Sequence, residues 1–163
     1  KVITLSKMAS SPIADSLYPY MLKNKNFKIV KKILMIFMPV ITLGVILVGI
    51  FAEPLCVIAF GNEYAEAGNV LRLLLPIAWV ILPTYIIAFP VMSPLGLVKY
   101  ANRSNVIGMC IQICGLVIIK MLGILNVYTV CGLTSFTEVV VFVYRLLVVL
   151  LRKKLRLGGI RHE

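Results

Sequence analysis

Two long stretches of this chain carry no charge at all. Residues 33–52 read ILMIFMPVITLGVILVGIFA and residues 73–92 read LLLPIAWVILPTYIIAFPVM. A helix rises 1.5 Å per residue, so about 20 residues cross the ~30 Å hydrocarbon core of a bilayer. Residues 106–122 form a third such run, broken by Lys120 near its end, and residues 127–147 form a fourth that contains Glu138 and Arg145. Membrane strands alternate apolar and polar over about ten residues. These runs are apolar all round. The expected fold is therefore all-α, a polytopic integral membrane helix bundle.

Composition excludes the soluble alternatives. The 163 residues are 61% hydrophobic and 14% charged, against about 45–50% and about 25% in soluble domains. A water-soluble chain of this size could not hide so much apolar surface and still cover its outside, and so apolar a chain is not disordered. Seventeen Lys and Arg against six acids give a net charge of +11, and their positions explain it. Lys23, Lys25, Lys28, Lys31 and Lys32 precede the first run. Lys99 and Arg103 lie between the second and third, and Arg152, Lys153, Lys154, Arg156 and Arg161 follow the fourth. Arg72 and Lys120 fall on the opposite side, with Glu53, Glu63 and Glu66. Four crossings return the chain to its starting side, so the basic clusters share one face, as the positive-inside rule requires of the cytoplasmic one. The clusters lack the interleaved aromatics of a single-strand binder, so no nucleic-acid partner is expected; membrane lipids are.

On this reading residues 1–21 are the end of a transmembrane helix cut by the start of the sequence. Residues 22–32 are a cytoplasmic basic loop, 53–72 a periplasmic loop, 93–105 a cytoplasmic loop, 123–126 a periplasmic turn and 148–163 a cytoplasmic basic tail. The first segment, ITLSKMASSPIADSLYPYM, holds Lys7, Pro12, Asp15 and Pro19. It is too polar to face lipid and suits the interior of a bundle. Cys56, Cys110, Cys114 and Cys131 form no C-x-x-C pair, and the one histidine is His162. No metal site or resident cofactor is expected. Cys110 and Cys114 share a helix face as small packing residues.

Proline and charge mark the candidate functional positions. Pro39 interrupts the first span, and Pro76, Pro83 and Pro90 recur every seven residues in the second. Each removes a backbone hydrogen bond and kinks the helix. In lipid the freed carbonyls need partners from neighbouring helices, side chains or water, so the second span belongs inside a bundle or beside a cavity. A charge within a span is costly and is a functional hypothesis by default. Glu138 and Arg145 lie two turns apart on nearly one face, about 10 Å along the axis, a stretch for direct pairing. Glu138 suits a coupling proton or sodium ion, a sugar hydroxyl, or an interhelical hydrogen bond. Arg145 suits a diphosphate or snorkels to headgroups. Lys7 and Asp15 are further candidates for a substrate or ion pathway. Arg72, at a helix start where the dipole favours anions, is expected to be structural and held by Glu63 or Glu66. Lys120 is expected to snorkel to the interface.

Three segments together resemble a known family. Residues 51–76 (FAEPLCVIAFGNEYAEAGNVLRLLLP) carry an acidic-Pro step, an apolar stretch, Phe60-Gly61 with Glu63-Tyr64, and Val70-Leu71-Arg72 opening the next span. Residues 11–25 (SPIADSLYPYMLKNK) and 133–145 (LTSFTEVVVFVYR) supply a Tyr-Pro-Tyr helix exit and a Thr-Ser, acid, Arg pattern. In order and spacing these are similar to the polysaccharide flippases of bacterial O-antigen synthesis, in the multidrug/oligosaccharidyl-lipid/polysaccharide exporter superfamily. The resemblance implies a MATE-like exporter fold of twelve spans in two six-helix halves around a central cavity, both termini cytoplasmic. This chain would supply the end of span eight and spans nine to twelve. The implied activity is movement of an undecaprenyl-diphosphate-linked oligosaccharide across the bacterial inner membrane, without chemistry. The implied partners are that lipid-linked oligosaccharide, the preceding spans and the O-antigen polymerase machinery. A drug or cation exporter of the same superfamily is the alternative; a membrane-embedded glycan-assembly enzyme is the alternative of another class, though the periplasmic loops offer it no His.

Overall fold

The computed structural model describes residues 2–158, and the side chains of residues 4, 8 and 10–152. Six α-helices account for nearly all of it: α1 (Val2–Asn24), α2 (Phe27–Ile50), α3 (Ala52–Phe60), α4 (Ala67–Ile86), α5 (Val98–Met121) and α6 (Val127–Gly158). A 3₁₀ turn (Asn62–Tyr64) joins α3 to α4, and α4 continues into a π-helical turn (Ile87–Val91). No strand occurs among the described residues. Four segments are long and apolar enough to cross a membrane: Phe27–Ile50, Ala67–Val91, Val98–Met121 and Val127–Arg152.

The helix ends follow from local chemistry. Asn26 caps α2 by accepting the Lys28 N–H at 3.2 Å. Gly61, at φ 99°, ends α3 with its N–H on the Val57 carbonyl; a side chain is strained in that left-handed conformation. Asn126 and Thr129 cap α6 reciprocally. Thr129 N–H donates to Asn126 Oδ1 at 2.8 Å and Asn126 N–H to Thr129 Oγ1 at 3.1 Å, a capping-box geometry built from other residues.

The second expected span is the hub. α4 touches α1, α2, α3 and α6, while α5 packs on α6 and the π turn. Its buried residues run almost without a break through Val80, Ile81, Leu82, Pro83 and Thr84 and resume at Ile86. A helix covered all round belongs to a bundle interior. One core cluster joins Leu17 and Met21 of α1, Val30 of α2, and Leu82, Ile86 and Val91 of α4 and its π turn. The outer face of α2 instead leaves Met35, Ile36, Val40, Leu43 and Ile50 exposed. An exposed apolar face of this kind suits lipid or further helices.

The described residues of the three basic segments lie at one end. The core cluster brings Val91 and Leu95, at the end of α4, to the α1–α2 turn. Arg152 Nη2 donates to Tyr100 Oη at 3.0 Å, joining the end of α6 to the start of α5. At the other end Arg72 meets Gly49 and Glu53.

Several expectations about extent need revision. Residues 53–72 are mostly helical rather than loop, because 52–60 form α3 and α4 begins at Ala67. α5 begins at Val98, well inside the expected 93–105 loop, and α6 continues to Gly158 through the expected tail. In each case the helix outruns its apolar stretch, because Lys, Arg, Glu and Asn are tolerated in helices once past the bilayer core.

Candidate functional site

A cavity of about 510 Å³ opens between α4, α5 and α6. Its position follows from two local features. The π turn and Pro90 at the end of α4 break the regular ladder, a feature frequent at functional sites. On the facing side, α5 closes on α6 through glycines. A Cβ on Gly108 would come 2.8 Å from Val141 Cγ2, and one on Gly115 would come 2.5 Å from Leu133 Cδ1.

Arg145 of α6 lies at one end of this cavity and is only 6% exposed. Its guanidinium ties three helices together. Nε donates to Ser104 Oγ at 2.7 Å and Nη2 to Asn105 Oδ1 at 2.6 Å, both on α5, and Nη1 donates to the Thr84 carbonyl of α4 at 3.3 Å. Ser104 Oγ donates onward to the Ala101 carbonyl at 2.6 Å. A buried guanidinium is tolerated where its donors find acceptors, and here three of its five N–H groups do. Arg145 therefore does not snorkel to headgroups; it is held inside the bundle.

Deeper along α6 a neutral polar ladder crosses to α5. Gln112 Nε2 donates to Thr134 Oγ1 at 3.2 Å, and Thr137 Oγ1 donates to Gln112 Oε1 at 3.0 Å. Glu138 lines the same cavity, half-buried, beside Tyr85 and Phe89 of α4. Glu138 and Arg145 thus share a cavity without an ion pair, as their axial separation implied; the one ion pair among the described residues is Arg72–Glu53. Thr84, 4% exposed, also lines the cavity, and its Oγ1 is buried without a hydrogen-bond partner.

The other candidates lie elsewhere. Asp15 is exposed on α1 and accepts from Ser11 Oγ at 2.9 Å. The Lys7 side chain and His162 fall outside the described residues. Lys120 is exposed in the last turn of α5. Arg72 has a structural setting, but its partner is not Glu63 or Glu66. Its Nη1 meets Glu53 Oε1 at 2.9 Å and Asn69 Oδ1 at 2.8 Å, and its Nε donates to the Gly49 carbonyl at 3.0 Å. Because α3 folds residue 53 back against α4, Glu53 is the acid within reach. The cation also faces the end of α2, where the dipole favours it.

Side-chain donors cross between helices near the prolines, although not at the carbonyls the prolines free, which lie four residues before each. Ser135 of α6 donates to the Leu73 carbonyl, three residues before Pro76. Arg145 takes the Thr84 carbonyl next to Pro83. Trp79 Nε1 donates to Thr42 Oγ1 on α2 at 2.9 Å, three residues past Pro39. Cys110 and Cys114 do share a face of α5, but they are exposed on it, while Cys56 is buried. No cluster of three or more His, Cys, Asp or Glu side chains able to hold a metal occurs among the described residues.

Sequence reasoning had missed Ser104, Asn105, Gln112, Thr134 and Thr137. The signal available was a polar stripe within apolar spans, with Ser104 and Gln112 eight residues apart on α5 and Thr134 three and four residues before Thr137 and Glu138 on α6; it marks a face of each helix but not what that face meets. No protein-family model, no curated protein and no solved structure matches the chain. What fold and site define together is a helical protein with membrane-length spans and a polar cavity between three of its helices.

Proposed function

We propose that this chain is part of a transporter that flips undecaprenyl-diphosphate-linked O-antigen or polysaccharide repeat units across the bacterial inner membrane. The observation that carries the reading is the cavity between α4, α5 and α6. Hydroxyls and amides in an apolar bundle suit sugar hydroxyls, which need hydrogen-bond partners once removed from water. The family resemblance supplies the substrate class. Arg145 keeps two N–H groups beyond its three protein acceptors, available to an anionic group or water. Glu138 is the group that would take up a coupling proton or sodium ion. The basic end of the bundle, with the C-terminus, is cytoplasmic by the positive-inside rule. Transport of this kind makes and breaks no bond, so the protein is not an enzyme on this reading.

One observation favours a second reading. Tyr85 and Phe89 stand beside Glu138 in the same cavity, the aromatic and acidic setting a cation exporter needs.

Complementation of a flippase-null strain by the intact protein carrying this chain, scored by surface polysaccharide, separates these readings. Restoration by the wild type and its loss in Glu138→Gln support flipping. Failure of the wild type in its cognate glycan pathway overturns the function, and normal polysaccharide from the Glu138→Ala, Arg145→Ala double variant overturns the residue assignment.

A further inference from the structure

A second recess, which shares no lining residue with the polar cavity, lies between α1 and α2. It encloses about 530 Å³ and is lined by Pro12, Ile13, Ser16, Leu17 and Tyr20 of α1 and by Ile29 and Ile33 of α2. Nearly all of this lining is apolar. Its floor is firm, because Leu17 is buried in the core and Ile13, Ile29 and Ile33 pack against that core. On α1, Ser16 and Lys23 are seven residues apart and so lie on nearly one face. The stripe from Pro12 to Lys23 spans about 16 Å at 1.5 Å per residue, about one leaflet of a ~30 Å hydrocarbon core.

The recess runs toward the α1–α2 turn, and that end is cationic. Lys23 sits in the last turn of α1, Lys25 in the turn itself, and Lys28 and Lys32 one helical turn apart on α2 beside Ile29 and Ile33. All four are exposed, and no acidic residue occurs between Asp15 and Glu53 to neutralise them. No ion pair among the described residues engages them. A one-leaflet apolar slot closed at its aqueous end by uncompensated ammonium groups matches one kind of occupant in both parts.

We propose that the α1–α2 recess is a binding site for one anionic phospholipid, with an acyl chain along Ile13, Leu17, Ile29 and Ile33 and the phosphate head among Lys23, Lys25, Lys28 and Lys32. The site uses none of the residues of the polar cavity and stands apart from the transport reading. Generic attraction of lysines to a charged surface needs no slot; a discrete site needs both the slot and the charge. The lipid would fasten the α1–α2 hairpin to the leaflet on the basic side.

The test is native mass spectrometry of the full chain in mild detergent, with phosphatidylglycerol or phosphatidylethanolamine of identical acyl chains. The expected result is retention of one phosphatidylglycerol in preference to phosphatidylethanolamine. Lys28→Gln with Lys32→Gln should weaken retention about 25-fold, at about fivefold for each lysine near an anionic head. Ser16→Trp, at an exposed position that leaves the core and every lysine in place, should expel the lipid by filling the slot. Glycerol phosphate without acyl chains should compete weakly. Equal retention of the two lipids, or unchanged retention in Ser16→Trp with native helicity, overturns the proposal. So does finding that a second copy of the chain rather than lipid protects the recess.

Discussion

Arg145 shows how a residue that looks like a ligand in the sequence acquires a structural duty in the fold. Its three hydrogen bonds reach two other helices, so removing it takes a charged donor from Ser104, Asn105 and the Thr84 carbonyl together. Arg145→Ala is expected to cost about 2–4 kcal/mol of unfolding free energy, because buried groups lose charge-assisted partners. Arg145→Lys keeps the charge but not the planar fork and should fall between the two. Detergent thermal-unfolding midpoints rank the three proteins; an Arg145→Ala midpoint equal to wild type would remove the three-helix tie. Arg72 makes a contrasting case. Its ion pair with Glu53 is exposed, 40% and 52% for the two side chains, and such pairs contribute about 0.2–1 kcal/mol and are screened by salt. Glu53→Ala should therefore be mild. Arg72→Ala should cost more, about 1–2 kcal/mol, since Gly49 and Asn69 also lose a donor. The same unfolding measurement with and without added salt separates the two contributions: only the Glu53 part should shrink.

At the scale of elements, close approach depends on glycine, and the costs are unequal. A Cβ on Gly68 would lie 2.7 Å from Glu53 Cγ and 2.9 Å from the Glu53 backbone nitrogen. Backbone cannot swing aside, so Gly68→Ala should open the α3–α4 hairpin at about 1–3 kcal/mol. At Gly115 the obstruction is the flexible end of Leu133. Gly115→Ala should cost less, because that side chain can change rotamer. Equal midpoints for the two variants would contradict this account of the packing. The four spans were legible in the sequence because about 20 residues with no charge, or with only one or two, leave few alternatives. The proline-rich second span was legible as an interior helix for the same physical reason, since freed carbonyls need protein partners. The 3₁₀ turn and the helical extensions past the apolar runs were not legible, because hydropathy says nothing once a helix leaves the apolar run, and α3 was not because nine residues are too few to cross a bilayer and show no helical periodicity of their own. The Arg72 partner was missed for that reason: with 53–72 read as loop, Glu63 and Glu66 were nearer in sequence, and only α3 brings Glu53 back.

For the whole molecule, α4, α5 and α6 enclose a polar cavity, and the described basic residues Lys23–Lys32, Lys99 and Arg152 gather at one end. The sequence had Glu138 and Arg145 on one helix face, and the fold puts both on that cavity. What it could not supply were the facing residues Thr84, Ser104, Asn105 and Gln112, because a contact between helices is set by crossing geometry rather than by spacing along one helix. The apolar outer face of α2 implies that lipid or further helices cover it. The central claim, that this cavity carries a lipid-linked glycan, is tested most directly by reconstitution. The intact protein carrying this chain would be placed in proteoliposomes with a lipid-linked oligosaccharide, and transfer between leaflets would be followed by the access of an impermeant lectin. The account predicts time-dependent transfer by the wild type, slowed on the order of tenfold in Glu138→Gln, which equals about 1.4 kcal/mol of lost stabilisation along the path. An intact, correctly folded wild type that moves no oligosaccharide, or a Glu138→Gln protein that moves it at the wild-type rate, would contradict it.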